Sequence, residues 1–129
     1  MIRVLLVDDS DVVRRSVGAV LIDLLVNPTI GEAADAETAL ARVDAEPWDL
    51  VLLDLSLPDR SGMDTLRVIR ARCPALPVLV MSFHPEAEYE AAVRAAGAAG
   101  YVTKGTSADV MTQAVRHALA SGETAARRP

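Results

Sequence analysis

Ile2-Arg3-Val4-Leu5-Leu6-Val7-Asp8-Asp9-Ser10-Asp11 is a solid apolar run that breaks at once into carboxylates. So short a run, without helical periodicity, predicts a strand buried on both faces. The same wording returns at Leu50–Leu53 before Asp54, at Val78–Met81 before Ser82, and at Tyr101–Val102 before Lys104. A weaker run, Thr29–Ala34, alternates Ile30, Glu32 and Ala34 with small residues. Between these runs the apolar residues fall three or four apart. Val13, Val17, Val20, Leu21 and Leu24 line one face of a helix that starts near Asp11. Similar patterns cover Ala36–Ala45, Ser61–Cys73, Glu86–Ala96 and Ser107–Ala120.

The punctuation agrees with this division. Asp35, Ser107 and either Ser61 or Asp59 suit helix N-caps, and Pro85-Glu86 suits a first helical turn. Gly97 suits a C-terminal stop, and Pro28, Pro47, Pro74 and Pro77 fall in connections. Strand and helix alternating in this way predict an α/β fold of (βα)5 type, a doubly wound parallel five-stranded sheet covered on both faces.

At 129 residues the chain has room for one domain, and 51% hydrophobic with 24% charged residues is globular composition. Residues 1–122 hold the pattern; 123–129 read as a polar tail or the start of a linker. The single cysteine, Cys73, forms no internal disulfide and suits a reducing cytoplasm. Asp23 interrupts the longest apolar run, Val17–Val26, so no membrane span is expected, and no cleavage pattern marks a secretory signal. A net charge of −5 argues against nucleic-acid binding by this chain alone. All basic residues but one are arginine, which suggests that Lys104 stands where a compact point charge is needed.

Parallel α/β sheets bind ligands beyond the carboxyl ends of their strands, so the residues that end each run should meet on one rim. Asp8, Asp9, Asp54, Ser82 and Lys104 are those residues. Three crowded carboxylates call for a cation, and a hard divalent ion such as Mg²⁺ takes oxygen ligands while leaving room for phosphate. With an ammonium and a hydroxyl beside it, the arrangement suits a phosphoryl group, and Asp54 becomes the nucleophile. Taken singly these residues have plainer readings. Asp8-Asp9 would be a solvated cap, Ser82 a loop cap, Lys104 a surface charge and Tyr101 core filler. Trp48 reads as packing over a loop, Cys73 as structural, and His84 and His117 lack ligand partners at useful spacing.

The ordered set Val-Asp-Asp-Ser at 7–10, Leu-Leu-Asp-Leu-Ser-Leu-Pro at 52–58 with Gly62, Val-Met-Ser at 80–82 and Gly-Tyr-Val-Thr-Lys at 100–104 resembles the receiver domain of two-component response regulators. The wording around Met81–Tyr89 and Ala96–Gly105 is most similar to receivers of the NarL/LuxR type. The resemblance implies the flavodoxin-like strand order 2-1-3-4-5. It also implies that Asp54 accepts a phosphoryl group from a sensor histidine kinase or phosphotransfer protein. Asp9, Asp54 and the Ser56 backbone carbonyl would hold Mg²⁺, with Asp8 acting through water. Ser82 and Lys104 would contact the phosphoryl oxygens, and Ser82 with Tyr101 would form the switch. Phe83, bulkier than the residue many receivers carry there, implies narrower access to Asp54. The resemblance further implies a cytoplasmic signalling module rather than an enzyme, with transcriptional output. DNA would be contacted only through a C-terminal domain not in this chain. The broad apolar stripe Val110, Met111, Ala114, Val115, Ala118 and Leu119 offers a surface for a homodimer.

Other readings differ at particular residues. A metal-dependent phosphohydrolase of the haloacid dehalogenase kind carries its nucleophile after the first strand and needs a cap domain. A flavodoxin-like cofactor binder needs a phosphate-cradling loop where Asp8-Asp9-Ser10-Asp11 would repel phosphate. A stand-alone receiver, or a pseudo-receiver acting by protein contact alone, remains the alternative within the same fold.

Overall fold

The computed structural model describes residues 1–83 and 87–127. The chain alternates β1 (Arg3–Val7), α1 (Asp11–Leu24), β2 (Thr29–Ala33), α2 (Ala36–Ala45), β3 (Leu50–Asp54), α3 (Gly62–Arg72), β4 (Val78–Ser82), α4 (Ala87–Ala95), β5 (Gly100–Thr103) and α5 (Ala108–Arg127). The strands form one parallel five-stranded sheet in the order β2-β1-β3-β4-β5. The fold and strand order are those expected. Pro85-Glu86 and His84 lie outside the described residues, as do Arg128 and Pro129 of the expected tail. The last helix runs on to Arg127, into the stretch read as a polar tail.

Strand geometry sorts the core into two layers, because successive side chains point to opposite faces. Leu5, Val7, Val51, Leu53, Val78 and Val80 pack under α2, α3 and α4 with Leu40, Leu66, Ile69 and Val93. Val4, Leu6, Leu50, Leu52, Leu79 and Met81 pack under α1 and α5 with Val17, Leu21, Met111, Val115 and Ala118. Each buried aliphatic side chain contributes about 1.5–3 kcal/mol, so these two layers supply most of the drive to fold. The α5 stripe divides accordingly. Met111, Val115 and Ala118 are buried on the sheet, whereas Val110 is 48% exposed.

Caps set where the helices begin. Ser10 Oγ accepts from Val13 N–H, Asp35 Oδ1 from Thr38 N–H, Ser61 Oγ from Asp64 N–H and Ser107 Oγ from Val110 N–H. Ser61, not Asp59, therefore opens α3. At the end of α4, Gly97 takes φ of +105°, its N–H bonds Arg94 O, and Ala98 N–H bonds Val93 O. That left-handed turn favours glycine and stops the helix where the sequence placed its stop.

Candidate functional site

At the carboxyl rim of the sheet the chain leaves β1, β3, β4 and β5 on polar residues. Asp8, Asp54 and Ser82 are buried there, and Asp9 is exposed. Lys104 Nζ lies 2.6 Å from Asp8 Oδ2 and 3.1 Å from Asp54 Oδ2. Asp8 Oδ1 accepts from Ser10 N–H at 2.9 Å, and Asp54 Oδ1 accepts from Ser56 N–H at 3.0 Å. Ser82 O accepts from Lys104 N–H at 2.7 Å, which ties the ends of β4 and β5 together beneath the ammonium.

The charge at this rim does not balance. Carboxylate oxygens of Asp8, Asp9 and Asp54 lie within 4.8 Å of one another and face a single ammonium. Burial pushes the Asp54 carboxyl above its usual range, and the Asp8 charge adds to this against the opposing pull of Ser56 N–H and Lys104. Burial alone would lower the Lys104 ammonium, but its contacts with Asp8 and Asp54 outweigh that and raise it. Asp8 Oδ2 is buried without an aligned hydrogen bond. An under-neutralised cluster of oxygen donors with such an atom suits a hard divalent cation such as Mg²⁺.

The β3–α3 connection shapes one wall. Ser56 bridges Ser61, and Gly62 N–H bonds Leu55 O at 3.0 Å. A Cβ on Gly62 would stand 2.3 Å from Leu55 Cα, so only glycine lets the loop fold back this closely. Phe83, 69% exposed, has its ring centroid 5.1 Å from Lys104 Nζ. Tyr101 is half-buried on β5 and packs against the layer under α2, α3 and α4.

The sequence did not show the part that two contributors to this rim play. Asp59, a discarded cap candidate for α3, instead accepts from Ala36 N–H at 2.9 Å and Glu37 N–H at 3.0 Å, stapling the β3–α3 loop to the start of α2. Arg14, on α1, donates to the Asp8 backbone carbonyl at 2.5 Å and to Glu32 Oε1 on β2 at 2.9 Å. Both residues tie together separate elements, which local patterning does not report. Trp48 packs more specifically than over a loop. Its ring centroid lies 5.0 and 5.2 Å from the Arg3 and Arg42 guanidinium carbons, and the ring stands against Gly31.

Residues 4–116 match the response regulator receiver domain model. The chain is 34% identical over 116 residues to response regulator UvrY of Escherichia coli, covering 90% of this chain and 53% of that protein. It is 38% identical over 117 residues to the transcriptional activator protein ExaE of Pseudomonas putida, covering 91% of this chain and 55% of that one. The chain thus spans about half the length of these curated relatives. A crystal structure of a LuxR-family two-component response regulator from Aurantimonas superposes with a TM-score of 0.83 at 34% identity, covering 92% of this chain and 84% of that one. Among the described residues no helix is long and apolar enough to cross a membrane.

Proposed function

The chain belongs to the response regulator receiver domain family, with a likeness to the NarL/LuxR type, and on that premise we propose that Asp54 is its phosphoacceptor. The observation that carries this reading is the buried Asp54 carboxylate at the end of β3, held between Ser56 N–H and Lys104 Nζ beside a cluster fit for a divalent ion. Asp9, Asp54 and the Ser56 carbonyl would hold Mg²⁺, with Asp8 acting through a bound water. When bound, the ion neutralises phosphoryl oxygens as charge develops on them.

In the proposed reaction an Asp54 carboxylate oxygen attacks the phosphorus of a phosphohistidine on a sensor kinase or phosphotransfer protein. The P–O bond forms as the P–N bond breaks, and the imidazole departs with its proton. Lys104 moves from balancing Asp8 and Asp54 to balancing the phosphoryl group, and the Ser82 hydroxyl bonds one of its oxygens. The added charge, about −1.5 to −2, draws Ser82 inward, and Tyr101 follows into the space on its own side of the sheet. The chain acts in this reading as a switch that catalyses only its own modification. Output would be transcription, through a DNA-binding domain of the whole protein, and a homodimer would use the flank of α5 where Val110 stands exposed.

Intact mass after incubation with a small acyl phosphate and Mg²⁺ tests the proposal. One base-labile phosphoryl adduct is expected on the wild type and none on Asp54→Asn. The same adduct on both proteins overturns the assignment.

A further inference from the structure

Asp9 is the one acid of the cluster that is exposed, and among the described residues nothing holds its carboxylate. Its placement is therefore set by its backbone, and that backbone is fixed at the preceding residue. Asp8 N–H donates to Ala33 O of β2 at 3.0 Å, and Asp8 C=O accepts from Arg14 Nη1 at 2.5 Å. The guanidinium is held in turn by Glu32 Oε1 at 2.9 Å, and the Arg14 side chain is only 15% exposed. Two directed N–H groups on one rigid plane thus lock the Asp8–Asp9 peptide to α1 and β2 together, which a flexible ammonium would not do.

We infer that Arg14, oriented by Glu32, is a positioning residue for the metal site: it fixes the Asp8–Asp9 peptide and so aims the Asp9 carboxylate at the ion. This rests on the reading of Asp8, Asp9 and Asp54 as a Mg²⁺ site. Its consequence runs against simple electrostatics. Arg14 is a positive charge close to a cation site, so deleting it should tighten Mg²⁺ binding on Coulombic grounds. Loss of positioning has the opposite sign.

Mg²⁺ titration of the unphosphorylated protein decides between them, with wild type, Arg14→Met, Arg14→Lys and Asp9→Ala compared. Asp9→Ala should lose most binding, and Arg14→Met should bind Mg²⁺ roughly tenfold more weakly, the scale found when partners of metal ligands are removed. Arg14→Lys, which keeps the charge and guards against a folding defect, should also bind more weakly. In metal-free protein the Asp9 and Ser10 amides should exchange faster in both Arg14 variants, with the rest of the sheet unchanged. Unchanged or tighter Mg²⁺ binding in a folded Arg14 variant overturns the inference while leaving the site reading intact. Absence of Mg²⁺ binding by the wild type would sink the site reading itself, and the inference with it.

Discussion

The two ends of the sheet handle charge in opposite ways. At the carboxyl rim, Asp8, Asp9 and Asp54 crowd together, Lys104 is the ammonium that meets Asp8 and Asp54 among the described residues, and the Asp54 carboxyl is raised by burial and by Asp8. At the amino end, Arg3 and Arg42 meet Glu46 at 3.2 and 3.1 Å, Asp49 accepts from Arg3 N–H at 2.7 Å, and both guanidinium groups lie over the Trp48 ring. There the Glu46 carboxyl is lowered, first by its hydrogen bond from Arg42. One end is matched and needs nothing more. The other is unmatched, and its imbalance is what makes it a site for a cation and a phosphoryl group.

The largest expected effect comes from deepening the imbalance. Lys104→Met leaves Asp8 and Asp54 buried without a counter-charge, and removing one partner of a buried pair costs about 3–5 kcal/mol. Chemical denaturation of metal-free protein at neutral pH measures it, and Mg²⁺ should recover part of the loss by binding the folded state. A loss under about 1 kcal/mol would mean that these carboxylates are solvated like surface ones. The pH dependence has a definite sign. A carboxyl whose folded pKa is raised contributes stability below its unfolded pKa and loses it as pH rises through the folded value. Metal-free wild type should therefore gain stability as pH falls through the raised value of Asp54 towards the ordinary carboxylate range, and Asp54→Asn should remove that gain.

The matched end predicts a stability effect without a functional one. Trp48→Ala removes a half-buried ring that packs on Gly31 and against two guanidinium groups, at an expected cost of about 2–3 kcal/mol. Trp48→Phe keeps a ring but loses the indole N–H bond to Arg42 O, at about 1 kcal/mol. Mg²⁺ titration should give the wild-type affinity in both. A changed affinity would show that the two ends are coupled and that the comparison is too simple.

How legible each end was in the sequence follows from the range of its interactions. Solid apolar strands, helical spacing and caps such as Asp35 and Ser107 are local, so the fold and its boundaries could be read to within a few residues. The rim residues were legible because parallel topology carries every strand end to one edge. The structure brings Asp8, Asp9, Asp54 and Lys104 together there. The supports were not legible. Arg14 reaches the Asp8 carbonyl and Glu32 across different elements, and Trp48, in a connection, meets Arg3 of β1 and Arg42 of α2. Nothing in the spacing of those residues distinguishes them from ordinary surface charges and a loop aromatic.

Asp59 supplies the smallest and sharpest test, because it is a carboxylate on the unmatched rim that behaves like those at the matched end. Its two oxygens accept from Ala36 N–H and Glu37 N–H, the free donors at the start of α2, and those bonds hold its carboxyl below the usual range. Peptide dipoles thus neutralise it, and it has no share in the deficit that Asp8, Asp9 and Asp54 leave. Asp59→Ala should lower the melting temperature modestly at neutral pH while leaving Mg²⁺ binding in place. For a carboxyl whose folded pKa is depressed, the stabilising contribution is present above the unfolded value, about 3.9, and is lost as pH falls through the folded one. The gap between wild type and Asp59→Ala should hold constant from neutral pH down to about pH 5 and close below it. Melting curves across that range check the sign. A gap that widens on acidification, or a loss of Mg²⁺ affinity as large as that of Asp9→Ala, would place Asp59 among the unmatched acids and erase the distinction between carboxylates that share this rim.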